Sequence, residues 1–134
     1  MLATPEVDGA VESIARLVAR FERRVWLISK CGPRIQARTE RWLAAHEFFG
    51  RTGVPDDHLR FCRLRADKRD HCVELGITHV VDDHPEVHAA IRGVVEYQYF
   101  FGPQVDPVPA YGRHTPTWAD VERLIEQSFV RDGR

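Results

Sequence analysis

The chain has 134 residues, of which 43% are hydrophobic and 29% are charged, and its formal net charge is −1. This composition excludes a disordered chain and predicts one globular domain with a single core, spanning residues 1–134. The small net charge provides no field that would attract nucleic acid by charge alone. No hydrophobic run reaches the length of a membrane span.

The cysteines and the N-terminus predict a cytoplasmic protein. Cys31, Cys62 and Cys72 are widely spaced, odd in number and form no Cys-x-x-Cys pair, which argues against a disulfide framework. The first residues lack the basic and hydrophobic regions of a secretion signal. We therefore expect a reducing compartment.

Hydrophobic spacing in the first half of the chain predicts helices that alternate with strands. A helix is expected after Asp8, which is a candidate N-cap, because apolar residues follow at intervals of three and four. The continuous apolar run Val25–Ile28 is typical of a buried parallel strand. A second helix is expected from about Arg34 to Phe49, ended by Gly50 and Gly53.

The second half continues the alternation. Strands are predicted at 59–64, 77–81 and 94–101. Helices are predicted at 68–75, from Pro85 to about Ile91, and from Thr117, which with Asp120 forms a capping box. The proline-rich segment Gly102 to Pro116 is predicted to be a loop. Together these elements predict an α/β protein, a three-layer Rossmann-like domain with a parallel sheet.

Polar side chains lie where several of these elements meet the same sheet edge. Ser29 ends the first strand, Lys68 begins a helix, and Asp82 and Asp83 follow a later strand. In parallel sheets this edge binds ligands. A hydroxyl and an ammonium suit phosphate oxygens, and two adjacent carboxylates suit Mg²⁺. Taken singly, each residue also has an ordinary role, as a turn residue, a solvated side chain or a helix cap.

The order of these groups resembles that of the haloacid dehalogenase-like (HAD) phosphohydrolases. The stretches that carry the resemblance match the second, third and fourth motifs of that superfamily. They are Val25-Trp26-Leu27-Ile28-Ser29-Lys30, Ala66-Asp67-Lys68 and His79-Val80-Val81-Asp82-Asp83. Two further stretches are similar to the small-capped 5′(3′)-deoxyribonucleotidase-like branch, namely Tyr99-Phe100-Phe101-Gly102 and Thr117-Trp118-Ala119-Asp120-Val121. The similarity extends over nearly the whole chain.

The resemblance implies a Mg²⁺-dependent phosphomonoesterase without a large cap domain. It implies that Ser29, Lys30 and Lys68 bind phosphate, that Ser29 and Lys68 take part in catalysis, and that Asp82 or Asp83 holds the metal. The implied substrate is a small phosphorylated molecule such as a nucleotide. Neither a membrane nor nucleic acid is an expected partner.

One family motif is missing from the sequence. The first HAD motif, Asp-x-Asp on a central strand, supplies the nucleophile, and no such motif precedes the first helix. Glu6-Val7-Asp8-Gly9 is only superficially similar to this motif, because Glu stands at the position of the nucleophile. We therefore expect little or no phosphatase activity, and the alternative is a non-catalytic binding or structural module.

The missing strand also has consequences for the sheet. Without it, the strands at Val25–Ile28 and Ile77–Val81 either pair directly or leave a gap that another segment fills. An open sheet edge would favour pairing with a second copy of the chain, so a homo-oligomer is a further expectation.

Two other constellations offer different chemistry. His84 and His88 are four residues apart, which suits two ligands of one zinc ion, although Pro85 intervenes. Cys31 is a candidate nucleophile near the end of the first strand, with an inert half-buried thiol as the alternative.

Overall fold

The computed structural model describes residues 7–131, with the side chain of residue 131 left out. The chain divides into two compact units, Met1–Leu64 and Arg65–Arg134. Each unit contains its own parallel sheet and its own helices.

The first unit pairs two short strands and surrounds them with helices. Its elements are α1 (Ala10–Arg20), β1 (Leu27–Lys30), α2 (Pro33–Ala45), α3 (Phe48–Thr52) and β2 (Leu59–Cys62). β1 and β2 are parallel, with Leu27 opposite Leu59 and Lys30 opposite Cys62. The predicted strand at Val25–Ile28 is therefore present but begins two residues later.

The core of the first unit forms where α1 meets the two helices after β1. The buried residues of this cluster are Val18, Leu43, Phe48 and Val54. The predicted amphipathic helix α1 is confirmed. Asp8 does not cap it, however, because the N-cap is Gly9, which has a left-handed φ of 77° and no side-chain cap.

The second predicted helix is wrong in its extent. It breaks after Ala45, and Glu47 adopts a left-handed φ of 52° before α3 begins. Thr52 then stabilises the end of α3, since its Oγ1 donates to the Phe48 carbonyl at 2.8 Å and accepts from the Val54 N–H at 3.2 Å. Phe48, the first residue of α3, is buried in the core of this unit.

The second unit is a three-stranded parallel sheet with three helices. Its elements are α4 (Asp67–Leu75), β3 (His79–Asp82), α5 (Pro85–Ile91), β4 (Tyr97–Phe101), β5 (Gly112–Thr115) and α6 (Trp118–Arg131). The strand order is β3-β4-β5. His79 lies opposite Tyr97, and Gln98 lies opposite Gly112.

The strand β5 corrects the prediction of a loop from Gly102 to Pro116. Its sequence, Gly-Arg-His-Thr, contains few strand-forming residues. The ladder with β4 forms it instead, and buried Thr115 donates from Oγ1 to the Phe100 carbonyl at 3.1 Å. Local propensity does not predict this strand, because its hydrogen bonds to β4 stabilise it.

Residues 7–131 thus form six helices and five strands, and every strand pair is parallel. The mixed α/β class is confirmed. The strands belong to two small sheets, one in each unit. Within the described part of the chain, no helix has the length and hydrophobicity that crossing a membrane requires.

The three cysteines are buried free thiols. Cys31 and Cys62 belong to the first unit, and Cys72 packs with Ile91 and Val95 in a core cluster of the second. Burial raises the pKa of the Cys72 thiol, while nearby Lys68 acts in the opposite direction.

Candidate functional site

The centre of the candidate site is an ion pair between Lys68 and Asp82. Lys68 lies in the first turn of α4, and Asp82 is the last residue of β3. Their Nζ and Oδ2 atoms are 2.9 Å apart, and the two side chains are only 12% and 10% exposed. Two of the side chains that the sequence order places at one edge are therefore brought together, across 14 positions of the sequence.

Asp82 is held by more than its ion pair. Its other carboxylate oxygen, Oδ1, accepts a hydrogen bond from the backbone N–H of His84 at 2.8 Å. This short loop from strand to helix is followed at once by Pro85, the first residue of α5. Both carboxylate oxygens therefore have defined partners, which fixes the direction in which the carboxylate points.

A buried histidine holds the backbone of the same residue. His88 is 0% exposed, and its Nε2 lies 2.9 Å from the Asp82 carbonyl oxygen. A carbonyl only accepts, so Nε2 carries the proton. Burial lowers the pKa of His88, against the opposing effect of that carbonyl and of the Asp82 carboxylate, and this favours the neutral ring.

Gln98, on the neighbouring strand β4, favours the same tautomer. Its amide nitrogen Nε2 lies 2.9 Å from the His88 carbonyl oxygen and 3.1 Å from His88 Nδ1. Because the amide nitrogen donates to both atoms, Nδ1 must be the unprotonated acceptor. The ring also stacks on Phe100 at a centroid distance of 3.8 Å.

Asp83 has a different environment from Asp82. Its side chain is 66% exposed, and its Oδ1 lies 3.7 Å from Nε2 of His84. Its backbone carbonyl accepts from the Gln104 side chain at 3.1 Å. Asp83 thus offers an exposed carboxylate next to a carboxylate that is already engaged.

Asp83 is the carboxylate of the acidic pair that remains open to a cation. In the stretch 7–131 no group of three or more His, Cys, Asp or Glu side chains is arranged to hold a metal ion. The ammonium of Lys68 occupies one oxygen of Asp82, which leaves Asp83 as the accessible carboxylate. The role of Mg²⁺ implied by the resemblance therefore stays a prediction.

The zinc alternative is not supported by the histidine geometry. Both ring nitrogens of His88 are hydrogen-bonded inside the protein, whereas the side chain of His84 is 49% exposed. A zinc ligand needs a free ring nitrogen that points at the metal. The four-residue spacing of the two histidines therefore reflects the start of α5.

Ser29 and Lys30 lie in the first unit, whereas Lys68, Asp82 and Asp83 lie in the second. Ser29 is partly buried, with its Oγ 4.0 Å from the Sγ of Cys31, and the side chain of Lys30 is exposed. Cys31 is 8% exposed, which agrees with an inert thiol.

Arg63 directly follows β2. The sequence pattern predicts no more for it than a place on an edge strand. Its Nη1 donates to the Cys31 carbonyl at 2.6 Å, and its Nη2 donates to Oε1 of Gln36 at 3.2 Å. Arg63, which follows β2, therefore connects Cys31, between β1 and α2, with Gln36 in α2.

A serine–histidine pair elsewhere in the second unit does not form a catalytic dyad. His79 Nε2 and Ser128 Oγ are 2.8 Å apart, but the Ser128 hydroxyl donates to the Ile125 carbonyl at 2.5 Å. His79 Nε2 must then donate to Ser128, so it cannot accept the serine proton. Ser128 is also 3% exposed, and the His79 ring stacks on Tyr97.

No protein-family model matches the chain, and neither a curated protein nor a solved structure matches it. The chemistry of the Lys68–Asp82 pair is therefore the basis for a functional conclusion.

Proposed function

We propose that this chain is a HAD-like phosphate-binding module in which Lys68 contacts the phosphate and Asp82 keeps its ammonium in place. The observation that supports the proposal is the 2.9 Å contact between two mostly buried side chains at the carboxyl end of β3. The candidate ligand is a small phosphomonoester such as a nucleoside monophosphate, as the resemblance implies.

Lys68 retains hydrogen-bonding capacity for an anion. An ammonium group has three N–H donors, and among the described residues Asp82 is the acceptor for one of them. The remaining donors are available to phosphate oxygens through the exposed part of the side chain. Because the surroundings exclude most water, each such hydrogen bond is stronger than it would be on an open surface.

The pair also has a purely structural interpretation. A buried ion pair can tie α4 to β3 without binding any ligand. The two interpretations differ in one measurable property. A phosphate-binding pair gives an affinity that depends on the ammonium, whereas a structural pair gives none.

Binding without hydrolysis is the form of the proposal that fits the sequence. The resemblance assigns the nucleophile to an Asp-x-Asp motif, and the superficially similar stretch at Glu6–Gly9 does not replace it. Asp8 lies in the turn before α1, and Gly9 is the N-cap of that helix. Glu6 lies outside the described residues. We expect no turnover of a chromogenic phosphate ester by the 134-residue chain, with or without Mg²⁺.

Calorimetry with inorganic phosphate and with a nucleoside monophosphate tests the proposal. Lys68→Met should abolish binding, and Lys68→Arg should retain part of it because the positive charge is kept. Lys30→Met makes the same change at the only other lysine of the chain, to which the resemblance also assigns phosphate, and so tests which of the two lysines binds it. Titrations with and without Mg²⁺ test the predicted metal separately.

The outcomes are distinct. Phosphate binding that survives Lys68→Met contradicts the proposal, as does an absence of binding by the unmodified chain. Loss of binding in Lys30→Met or Ser29→Ala would indicate that phosphate binds at the end of β1 instead. Turnover of the ester with Mg²⁺ would instead identify an active phosphohydrolase.

A further inference from the structure

We infer that His88 is a positioning residue of this site: it orients Asp82 through a hydrogen bond to the Asp82 backbone, and Asp82 in turn orients Lys68. The inference rests on the proposed phosphate-binding function for its consequence, but its geometric basis is independent of any ligand.

Three hydrogen bonds in series connect Gln98, in the sheet, with the ammonium of Lys68. Gln98 Nε2 donates to His88 Nδ1 at 3.1 Å, His88 Nε2 donates to the Asp82 carbonyl at 2.9 Å, and Asp82 Oδ2 accepts from Lys68 at 2.9 Å. The first two residues are 3% and 0% exposed. This series of hydrogen bonds thus begins in the solvent-excluded interior and ends at the partly exposed ammonium of Lys68.

The backbone contact matters because it restricts a residue at the end of a strand. Asp82 is the last residue of β3, where the ladder with β4 ends at Phe100. Two hydrogen bonds fix its orientation beyond the ladder, namely His88 to the carbonyl and the His84 N–H to the carboxylate. Without the first, rotation of the terminal peptide would move the carboxylate away from the ammonium.

An apolar side chain of similar size could fill the space of His88, but it could not replace this hydrogen bond. The Asp82 carbonyl would then lose the donor that His88 provides, and the loss of a hydrogen bond in the interior is more costly than the loss of a contact between exposed groups. Packing and positioning therefore make different predictions for a leucine and a glutamine at this position. Glutamine retains an N–H donor close to the position of Nε2.

Gln98 has a role that packing alone does not require. Its amide donates to Nδ1 and thereby keeps the proton on Nε2, where Asp82 needs it. Loss of this amide would remove one of the two contacts that favour the Nε2–H tautomer and leave the Asp82 carbonyl alone to favour it. Long-range proton–nitrogen NMR spectra distinguish the two tautomers of a neutral histidine.

The test compares His88→Leu with His88→Gln. Two readouts are used: the affinity for inorganic phosphate, and the NMR signal of the Lys68 ammonium, which is observable when hydrogen bonding slows its exchange with water. The chain has two lysines, so Lys30→Met assigns the signal. We expect His88→Leu to weaken phosphate binding roughly tenfold, the lower range for loss of a residue that orients a ligating group, and to broaden the Lys68 signal. His88→Gln should restore both.

The matched control is His114→Leu. His114 also lies in the second unit and also contacts a backbone carbonyl, that of Gly102, at 2.6 Å. This carbonyl does not belong to the Lys68–Asp82 pair, so the substitution should change neither readout. If His88→Leu fails to fold, Gln98→Met replaces it: the ring and the carbonyl of His88 then lose the amide that holds them, so the Lys68 signal should broaden.

Two results would overturn the inference. The first is an unchanged Lys68 signal and unchanged affinity in a folded His88→Leu or Gln98→Met protein. The second is equal loss in His88→Leu and His88→Gln, which would reveal a packing role. If the unmodified chain binds no phosphate, the proposed function fails, while the Lys68 signal in the variants still decides the positioning role of His88.

Discussion

Gly112 lies directly against the ring of Phe100. A Cβ added to Gly112 would lie 2.7 Å from Cδ1 of Phe100, and closer still to Cε1. The Phe100 ring is 1% exposed, and it also stacks on His88. Because Gly112 has no side chain, β5 leaves room for the Phe100 ring, which stacks on the buried His88.

Gly112→Ala should destabilise the protein, because the Phe100 ring must leave its place in a closely packed interior. We expect a loss of about 1–3 kcal/mol in the free energy of unfolding, as for other overpacked cores. Urea denaturation followed by fluorescence measures it. Gly50→Ala is the control, since Gly50 lies in the helix α3 and an added Cβ would meet no atom within 4 Å. A Gly112→Ala protein as stable as the parent would contradict the close packing of the ring.

Lys68 and Asp82 should be strongly coupled in stability. Lys68→Met or Asp82→Asn leaves the other group mostly buried without its partner, which costs about 3 kcal/mol. The double variant should lose less than the sum of the single losses, with a coupling above about 1 kcal/mol. Denaturant unfolding of all four proteins gives this cycle.

The exposed pair formed by Asp120 and Arg123 is the control for that cycle. Its atoms are 3.2 Å apart, but the Arg123 side chain is 57% exposed. Solvent screening should therefore reduce its coupling close to zero. Equal coupling for both pairs would mean that the burial of Lys68 and Asp82 has no energetic effect.

Stability should fall on mild acidification because of His88. Burial lowers its pKa below the ordinary 6.5, so below that pH the unfolded chain takes up a proton that the folded protein does not. The contribution is therefore present above about pH 6.5 and is lost as the pH falls through the folded pKa. Urea unfolding between about pH 8 and about pH 5 should show a smaller pH dependence for His88→Gln than for the parent. Since the chain has 7 histidines, only this difference reports on His88.

Thr117 should contribute to stability as the cap of α6. Its backbone N–H donates to Asp120 Oδ2 at 3.1 Å, and its Oγ1 accepts from the Asp120 N–H at 3.3 Å. Thr117→Ala should cost about 1 kcal/mol, and Thr117→Ser should recover most of it. Thermal unfolding at neutral pH measures the difference.

The same cap predicts a response to strong acid. The hydrogen bond from Thr117, and after it that from Arg123, holds the pKa of Asp120 below its ordinary 3.8. The contribution of the cap is therefore present above that value and is lost as the pH falls through the lowered pKa. Thr117→Ala should consequently show a weaker dependence on acid than the parent. An identical acid profile would exclude the cap as its source.

The sequence permitted prediction of those parts of the fold that depend on local patterns. The α/β class, the parallel strands, α1 and the capping box of Thr117 with Asp120 follow from spacing and cap chemistry. The break at Glu47 and the strand at Gly112–Thr115 do not, because each is stabilised by contacts distant in the sequence. Division of the strands into two sheets likewise depends on pairing that no local pattern specifies.

The candidate site divides in the same way. The proximity of Lys68 and Asp82 follows from chain order, because a helix start and a strand end in a parallel α/β unit share one edge. The roles of His88 and Gln98 could not be predicted, since they depend on which residues of α5 and β4 face each other. A glutamine in a strand rich in aromatic residues was the available indication of a buried polar contact.

The buried thiols have a practical consequence. Cys31 and Cys62 report on one unit and Cys72 on the other, so each half of the molecule contains a natural chemical reporter. A cysteine-specific alkylating reagent would modify each thiol only when its surroundings open, and peptide mass analysis would assign every modification. Local opening of each half can thus be timed separately, without introducing a label.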